Sequence, residues 1–281
     1  MLTLAGTAGM VNLPNARNYD EGLGTVYERF MLNDFFDSIT CSTNIRNVLE
    51  VPIYGMTGLT GINSVHFAEK GCNVTLVGTN DTHVEEAACL WKELPYADKY
   101  KIIKHVDMSR LPFEDGSFDL VWNFAALWHV RQAKSLLSEI ARVASGMVLI
   151  FMPNRRQAGY LLRKHFFDRD FFGRVDEKWA DMGLIRSLMA SLGLEMKAQG
   201  VLDVPPWPDT CFPIGPYIRK IFGSGEGQAD RWTWDIMRYY NGRDEGMKRK
   251  IDKFAFLERM AIPWWVKSVW AHHRFAIFSK Y

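Results

Sequence analysis

The chain predicts an α/β fold built on a parallel, doubly wound sheet, and three observations carry that expectation. Apolar runs of strand length alternate with amphipathic helical segments from about residue 46 to residue 204, which is the rhythm of a parallel sheet covered by helices on both faces. The stretch Arg46 to Asn80, RNVLEVPIYGMTGLTGINSVHFAEKGCNVTLVGTN, reads as strand, glycine-bearing turn, helix and strand. The run Met147 to Met152 is almost wholly apolar, as a strand buried on both faces must be.

Composition bounds the rest. A length of 281 residues with 48% hydrophobic and 14% aromatic side chains is enough for a sizeable core. A formal net charge of +2 without a long basic run argues against a nucleic-acid partner. Cys41, Cys72, Cys89 and Cys211 are far apart and form no C-x-x-C pair, so neither a metal site nor a disulfide framework is expected, and a reducing cytoplasm is the expected location. The opening MLTLAGTAGMVNLPNAR lacks the basic region and long apolar core of a signal peptide. No run approaches the ~18 apolar residues of a membrane span.

In chain order, Val26, Phe30, Leu32 and Phe35 or Phe36 give a helix over about 24–38 with one buried side. It suits closing over a ligand or packing on the sheet edge. Asn47 to Pro52 is the first strand, and Ile62 to Lys70 the helix after the glycine turn, stopped by Gly71. Val84, Ala87, Ala88, Trp91 and Leu94 mark the next helix, ended by Pro95. Lys101 to Val106, Phe118 to Val121 and Leu194 to Val204 read as strands; Leu136 to Val143 and Asp181 to Leu192 read as helices. VPPWPDTCFPIGP, with its five prolines, is a loop. Gly223 to Gly227 reads as a linker, and Ala229 to Met260 as an aromatic-rich helical insertion.

The turn between the first strand and its helix carries Gly55, Gly58 and Gly61. Glycine there lets the backbone bend sharply and approach a ligand, while the following helix end offers free N–H groups. The spacing is G-x-x-G-x-x-G, where a dinucleotide site has G-x-G-x-x-G and an acidic residue closing the second strand. A purely structural turn uses the same residues.

The segments VDMSRLPFEDGSFDLVWNFAALWHV and LLSEIARVASGMVLIFMPN are specific. Together with the glycine turn, over about residues 45–155 and more loosely the final strand, they resemble a class I S-adenosylmethionine-dependent methyltransferase of the ubiquinone/menaquinone-methyltransferase-like group, type 11. The resemblance implies a Rossmann-like, doubly wound, seven-stranded sheet whose last strand, Arg274 to Lys280, is antiparallel. It divides the chain into an N-terminal helical cap (1–44), a core (45–206), a helical insertion or lid (207–273) and the final strand (274–281). S-adenosyl-L-methionine is the implied cofactor.

Carried over residue by residue, the resemblance makes Glu50 the acidic residue of the first strand. Gly55, Gly58, Thr60 and Gly61 become the loop around the methionine part of the cofactor, with only Thr60-Gly61 in register and the turn about five residues longer than usual. Asp107, with Met108 beside it, matches the residue that reads the adenine amino group, and Asn123 to Ala125, including Phe124, would face the cofactor. Trp128 and His129 would open a helix beside the substrate. The family's ribose-binding carboxylate falls on Gly78, which has no side chain; Asp81, three residues on, either reaches the ribose or caps the next helix, the second role being favoured.

The implied activity is methyl transfer to a small, apolar or aromatic molecule, with His129 as the candidate base. Asp119 is read as orienting backbone. The alternative is a non-catalytic relative that serves as a binding or assembly subunit; a nicotinamide-dependent oxidoreductase fits less well. Arg155, Arg156, Arg163, Lys164, His165 and Arg169 among Tyr160, Phe166, Phe167, Phe171 and Phe172 suit either an anion site or a solvated helix face, the latter favoured. IPWWVKSVWAHH admits a membrane-surface contact, but burial against the sheet is the expectation.

Overall fold

The computed structural model describes residues 19–41, 43–54, 58–207 and 234–280. Gly55, Cys211, Trp232, the Gly223 to Gly227 linker and most of the proline-rich loop lie outside the described residues.

Among the described residues, seven strands form one sheet: β1 (Asn47–Glu50), β2 (Asn73–Gly78), β3 (Tyr100–Lys104), β4 (Phe118–Phe124), β5 (Ala144–Pro153), β6 (Leu194–Leu202) and β7 (His273–Lys280). Their order is β3-β2-β1-β4-β5-β7-β6. β1 to β5 pair in parallel, and β7 enters antiparallel between β5 and β6. The order reverses between β1 and β4, where the crossovers leave to opposite sides and a crevice opens at the carboxyl ends. The seven-stranded Rossmann-like sheet with an antiparallel last strand is therefore present.

The helices used below are α1 (Gly22–Thr40), α2 (Val65–Glu69), α3 (Asp81–Lys92), α4 (Ala133–Val143), α5 (Ala158–Leu162), α6 (Arg169–Phe172) and α7 (Met182–Ser191). Strand residues alternate between two cores, as a period of two requires. Trp122, Leu149 and Phe151 point to a face covered by Phe30 and Phe36 of α1, Phe67 of α2 and Trp91 of α3. Val121, Val148 and Ile150 point to the opposite face, filled by Leu136, Leu137 and Ile140 of α4 and by Ile185 and Met189 of α7.

Several expected boundaries move for local reasons. The helix after the glycine turn is only Val65–Glu69, because residues 59–65 are taken up by tight turns in which Ile62 N–H donates to Leu59 C=O and Val65 N–H to Ile62 C=O. Trp128 and His129 lie in a 3-10 turn, Leu127–His129, rather than opening a helix. β6 stops at Leu202 because Asp203 takes a left-handed φ of +66°. Asp119 accepts hydrogen bonds from the backbone N–H of Arg46 (2.9 Å) and Asn47 (2.8 Å), so it clamps the entry to β1 at the edge opposite the crevice.

The expectation that IPWWVKSVWAHH is buried holds only in part. Trp264 and Trp270 pack beside Val201 and Val204, whereas Trp265, Val266 and Val269 are exposed, since a helix of four residues, Trp264–Lys267, has one side to bury. Among the described residues no helix is long and apolar enough to cross a membrane. The cations between residues 155 and 169 are largely met by nearby acids: Arg155 by Asp181 (3.6 Å), Arg163 by Asp168 (2.9 Å) and Lys164 by Glu177 (2.6 Å).

Candidate active site

A cleft of about 500 Å³ opens at the carboxyl ends of β1, β2 and β4, lined by residues that include Pro52, Tyr54, Thr79, Asn80, Met108 and His129. Its aromatic wall is a stack of Tyr54 on His129, with ring centroids 4.1 Å apart and planes 21° apart. His83 meets Tyr54 edge-on at 5.6 Å. Met108 lies beneath, buried, and Val106, Ala126, Val130 and Gln132 complete the rim.

The electrostatics of the wall follow from burial. Desolvation, aided by the positive charge of Arg174, pushes His129 down to about 4. The ring is therefore neutral near pH 7, and its buried Nε2 has no hydrogen-bond partner among the described residues. Desolvation also raises the Tyr54 phenol and lowers His83. A histidine whose folded value lies below its ordinary 6.5 destabilises the native state as pH falls through that window. In an NMR titration the His129 ring is expected to show a midpoint near 4, and Tyr54→Ala, which admits water, to raise it. A wild-type midpoint near 6.5 would mean that the stack does not exclude solvent.

The predicted cofactor residues divide into those that reach the cleft and those that do not. Met108 lines it, and Asp107 stands between two lining residues. The Asp107 carboxylate accepts from Ser109 Oγ (2.5 Å) and Ser109 N–H (3.0 Å) and lies 3.4 Å from Gln132 Nε2; these bonds hold it below the ordinary carboxylate value. Asn123 is buried and structural: its Nδ2 donates to Val51 C=O (2.9 Å) and its Oδ1 accepts from Ala126 N–H (3.3 Å). It thereby fixes the backbone on which Ala126 faces the cleft. Phe124 points to the other side of the sheet, against Phe151 (5.2 Å) and His273 (4.7 Å).

The glycine turn serves packing more than exposure. Gly61 has φ +76°, and a Cβ there would lie 2.8 Å from Ala87 Cβ of α3; its carbonyl accepts from Trp91 Nε1 at 2.9 Å. Thr60 donates to Glu86 of α3 (2.6 Å). Both residues face α3 rather than the cleft, so Gly61→Val is expected to strain the fold and not merely remove a ligand. Gly58, with φ +71°, lies under α1: a Cβ would overlap the Glu21 carboxylate and lie 2.7 Å from Thr25 Cγ2. Glu21 Oε1 accepts from Leu59 N–H at 2.6 Å, and its side chain is held by Arg29 at 2.7 and 2.8 Å. The first turns of α1 therefore grip the glycine turn while the remainder of α1 packs on the sheet. Glu50 is buried behind the turn, accepting from Ser64 Oγ at 2.6 Å, and burial pushes it up to about 7.

Gly78 is required by packing, since a Cβ would lie 2.7 Å from Val84 Cγ2 and 3.4 Å from Ile53 Cδ1. A side chain there would require the Val84 methyl to move. Asp81 pairs with Lys104 at 2.6 Å on the exposed side. It does not cap α3 with its side chain: that role belongs to Asn80, whose Oδ1 accepts from His83 N–H at 2.9 Å. Asn80, Thr79, His83 and Tyr54 were not singled out from sequence. The Asn-Asp pair closing β2 is an N-cap signature that identifies Asn80; nothing local identifies Tyr54.

Residues 56–151 match the family described as methyltransferase domain. No curated protein sequence matches the chain. Among solved structures, the MccD protein is 14% identical with a TM-score of 0.54, covering 89% of this chain and 96% of that one. Magnesium protoporphyrin IX methyltransferase from Synechocystis PCC 6803, with bound SAH, is 11% identical with a TM-score of 0.53, covering 95% and 90%. The cyclase SpnF is 15% identical with a TM-score of 0.52, covering 89% and 80%. At these identities the likeness establishes the fold, and a fold does not fix the reaction.

Proposed function

We propose, from the premise that residues 56–151 are a class I methyltransferase domain, that this chain transfers a methyl group from S-adenosyl-L-methionine to a small, apolar or aromatic acceptor. The observation that carries the reading is the cleft, whose apolar floor and polar edges match an adenosine. Val106, Met108 and Val130 offer apolar surface to the base, with the Asp107 carboxylate beside them to accept from its amino group. Thr79 and Asn80 are the polar groups at the end of β2, and they take over the ribose edge that Gly78 leaves bare. Leu59 N–H is already bonded to Glu21, so the glycine turn supplies shape rather than that donor to the methionine end.

The cofactor supplies an activated methyl group on a sulfonium. What the protein must then supply is mainly orientation, which is worth up to about 7–11 kcal/mol in well-aligned reactions. Tyr54 and His129 form a flat wall suited to an apolar ring, and Phe171, 6.0 Å from His129, extends it toward Phe172. The neutral His129 accepts a proton only from an acceptor made acidic by the transfer itself. The same reading carries the expectation of a cytoplasmic enzyme acting on a small molecule, without a nucleic-acid partner.

Calorimetry with S-adenosylhomocysteine tests the reading directly. Wild-type protein is expected to bind one equivalent. Asn80→Ala should weaken binding by about 2–10-fold, the size of one lost net hydrogen bond. Asn80→Asp, which keeps the α3 cap and gives the diol a carboxylate, should restore it. No binding by the wild type would overturn methyl transfer; binding indifferent to Asn80 would move the ribose elsewhere.

A further inference from the structure

A second group of buried polar residues lies at the same sheet edge, on the far side of β4 from the cleft. Glu28 comes from α1, Asp203 follows β6, and His273 opens β7, whose first residue pairs with Pro153 and Leu202. All three residues are buried, at 6%, 2% and 6% exposure. One donor atom of each lies within 4.8 Å of the other two. His273 Nε2 is 2.9 Å from Glu28 Oε2, and His272 Nδ1 is 2.6 Å from Asp203 Oδ2.

These pairings leave donors unspent. Asp203 Oδ1 and His273 Nδ1 are buried without a hydrogen-bond partner among the described residues. A stray buried polar atom costs about 1–3 kcal/mol, so two within one cluster need an explanation. Glu258 stands beside the cluster, its Oε2 accepting from Val204 N–H at 2.6 Å. Asp203 is held in place by its left-handed φ of +66° and by His272, the kind of second partner that orients a ligating carboxylate.

We propose that Glu28, Asp203 and His273 bind a divalent transition-metal cation. Two carboxylates and an imidazole nitrogen favour Zn²⁺ or Mn²⁺ over Ca²⁺ and Mg²⁺, which take oxygen donors. Two carboxylates and an imidazole nitrogen then meet the 2+ charge. Because the ligands come from α1, β7 and the residue after β6, the cation ties α1 to the sheet. Glu28 adjoins Arg29, which holds the Glu21 clamp on the glycine turn, so the site braces the helix that shapes the turn.

The test is a metal titration of chelator-treated, full-length protein. With Zn²⁺, calorimetry is expected to give one site and a raised Tm, undiminished by a hundredfold excess of Mg²⁺. Co²⁺ should give saturable d–d absorption without a thiolate charge-transfer band, which excludes the cysteines as ligands. Glu28→Gln and His273→Gln should each weaken Zn²⁺ by at least tenfold. The Co²⁺ spectrum requires only the wild type, so the proposal stays testable if a variant fails to fold. Absence of saturable Co²⁺ bands, or unchanged Zn²⁺ affinity in folded variants, would overturn it. Metal binding is read without any adenosyl ligand, so its failure is distinct from failure of the methyl-transfer reading.

Discussion

Arg29→Met is expected to cost about 3–5 kcal/mol of stability, because it removes one partner of a buried ion pair and leaves the other charge uncompensated. The side chains of Arg29 and Glu21 are 2% and 1% exposed and 2.7 Å apart, and Glu21 bonds the glycine turn through Leu59 N–H. Arg29 also donates to Asn63 Oδ1 within the same turn. The single change therefore loosens α1 and the turn together. The double variant Glu21→Gln/Arg29→Met removes both charges and should recover much of the loss, since a neutral buried pair of similar volume carries no desolvated charge. Urea unfolding of wild type, single and double variants measures this as a coupling energy. A single-variant loss under about 1 kcal/mol would mean that solvent reaches the pair.

Glu50→Gln is expected to act in the opposite direction and only at higher pH. Burial pushes Glu50 from 4.5 up to about 7, so between those values the native state holds a proton that the unfolded chain has released. Stability is then full below about pH 4.5 and falls as pH rises to about 7. Gln stays neutral throughout and still accepts from Ser64 Oγ. It should match wild type near pH 4.5 and exceed it by about 1–3 kcal/mol at pH 8, the scale set by ~1.4 kcal/mol per pKa unit. An equal difference at both pH values would assign the effect to packing. A gain in stability accompanied by weaker S-adenosylhomocysteine binding would identify Glu50 as a charge retained for the ligand at a cost to the fold.

The clamp also gives the long glycine turn a physical role. A turn that depends on α1 for its shape cannot be judged by glycine spacing alone. Gly58 and Gly61 are glycines because Glu21 and Ala87 occupy the space where their side chains would be. At Gly78 a Cβ would crowd the Val84 and Ile53 side chains. Spacing made Gly78 look like the loss of a ribose contact. Packing makes it a place where α3 and the segment after β1 approach β2.

The sequence by itself determined the alternation of strands and covering helices, because hydrophobic period and strand-to-helix rhythm are local properties written in consecutive residues; the antiparallel β7 was implied by the family resemblance. It also located Asp107, Met108 and His129 near the cleft, through a motif whose spacing holds along the chain. Only the tertiary structure decided that Thr60 and Gly61 face α3, that Phe124 faces away, that Asn80 rather than Asp81 caps α3, and that Tyr54 stacks on His129 across 75 residues of sequence. It alone gathered Glu28, Asp203 and His273 from three separate regions. The reason is the same in each case: which face a side chain takes, and which distant charge or ring meets it there, is fixed by packing between elements, and no pattern within one element records it.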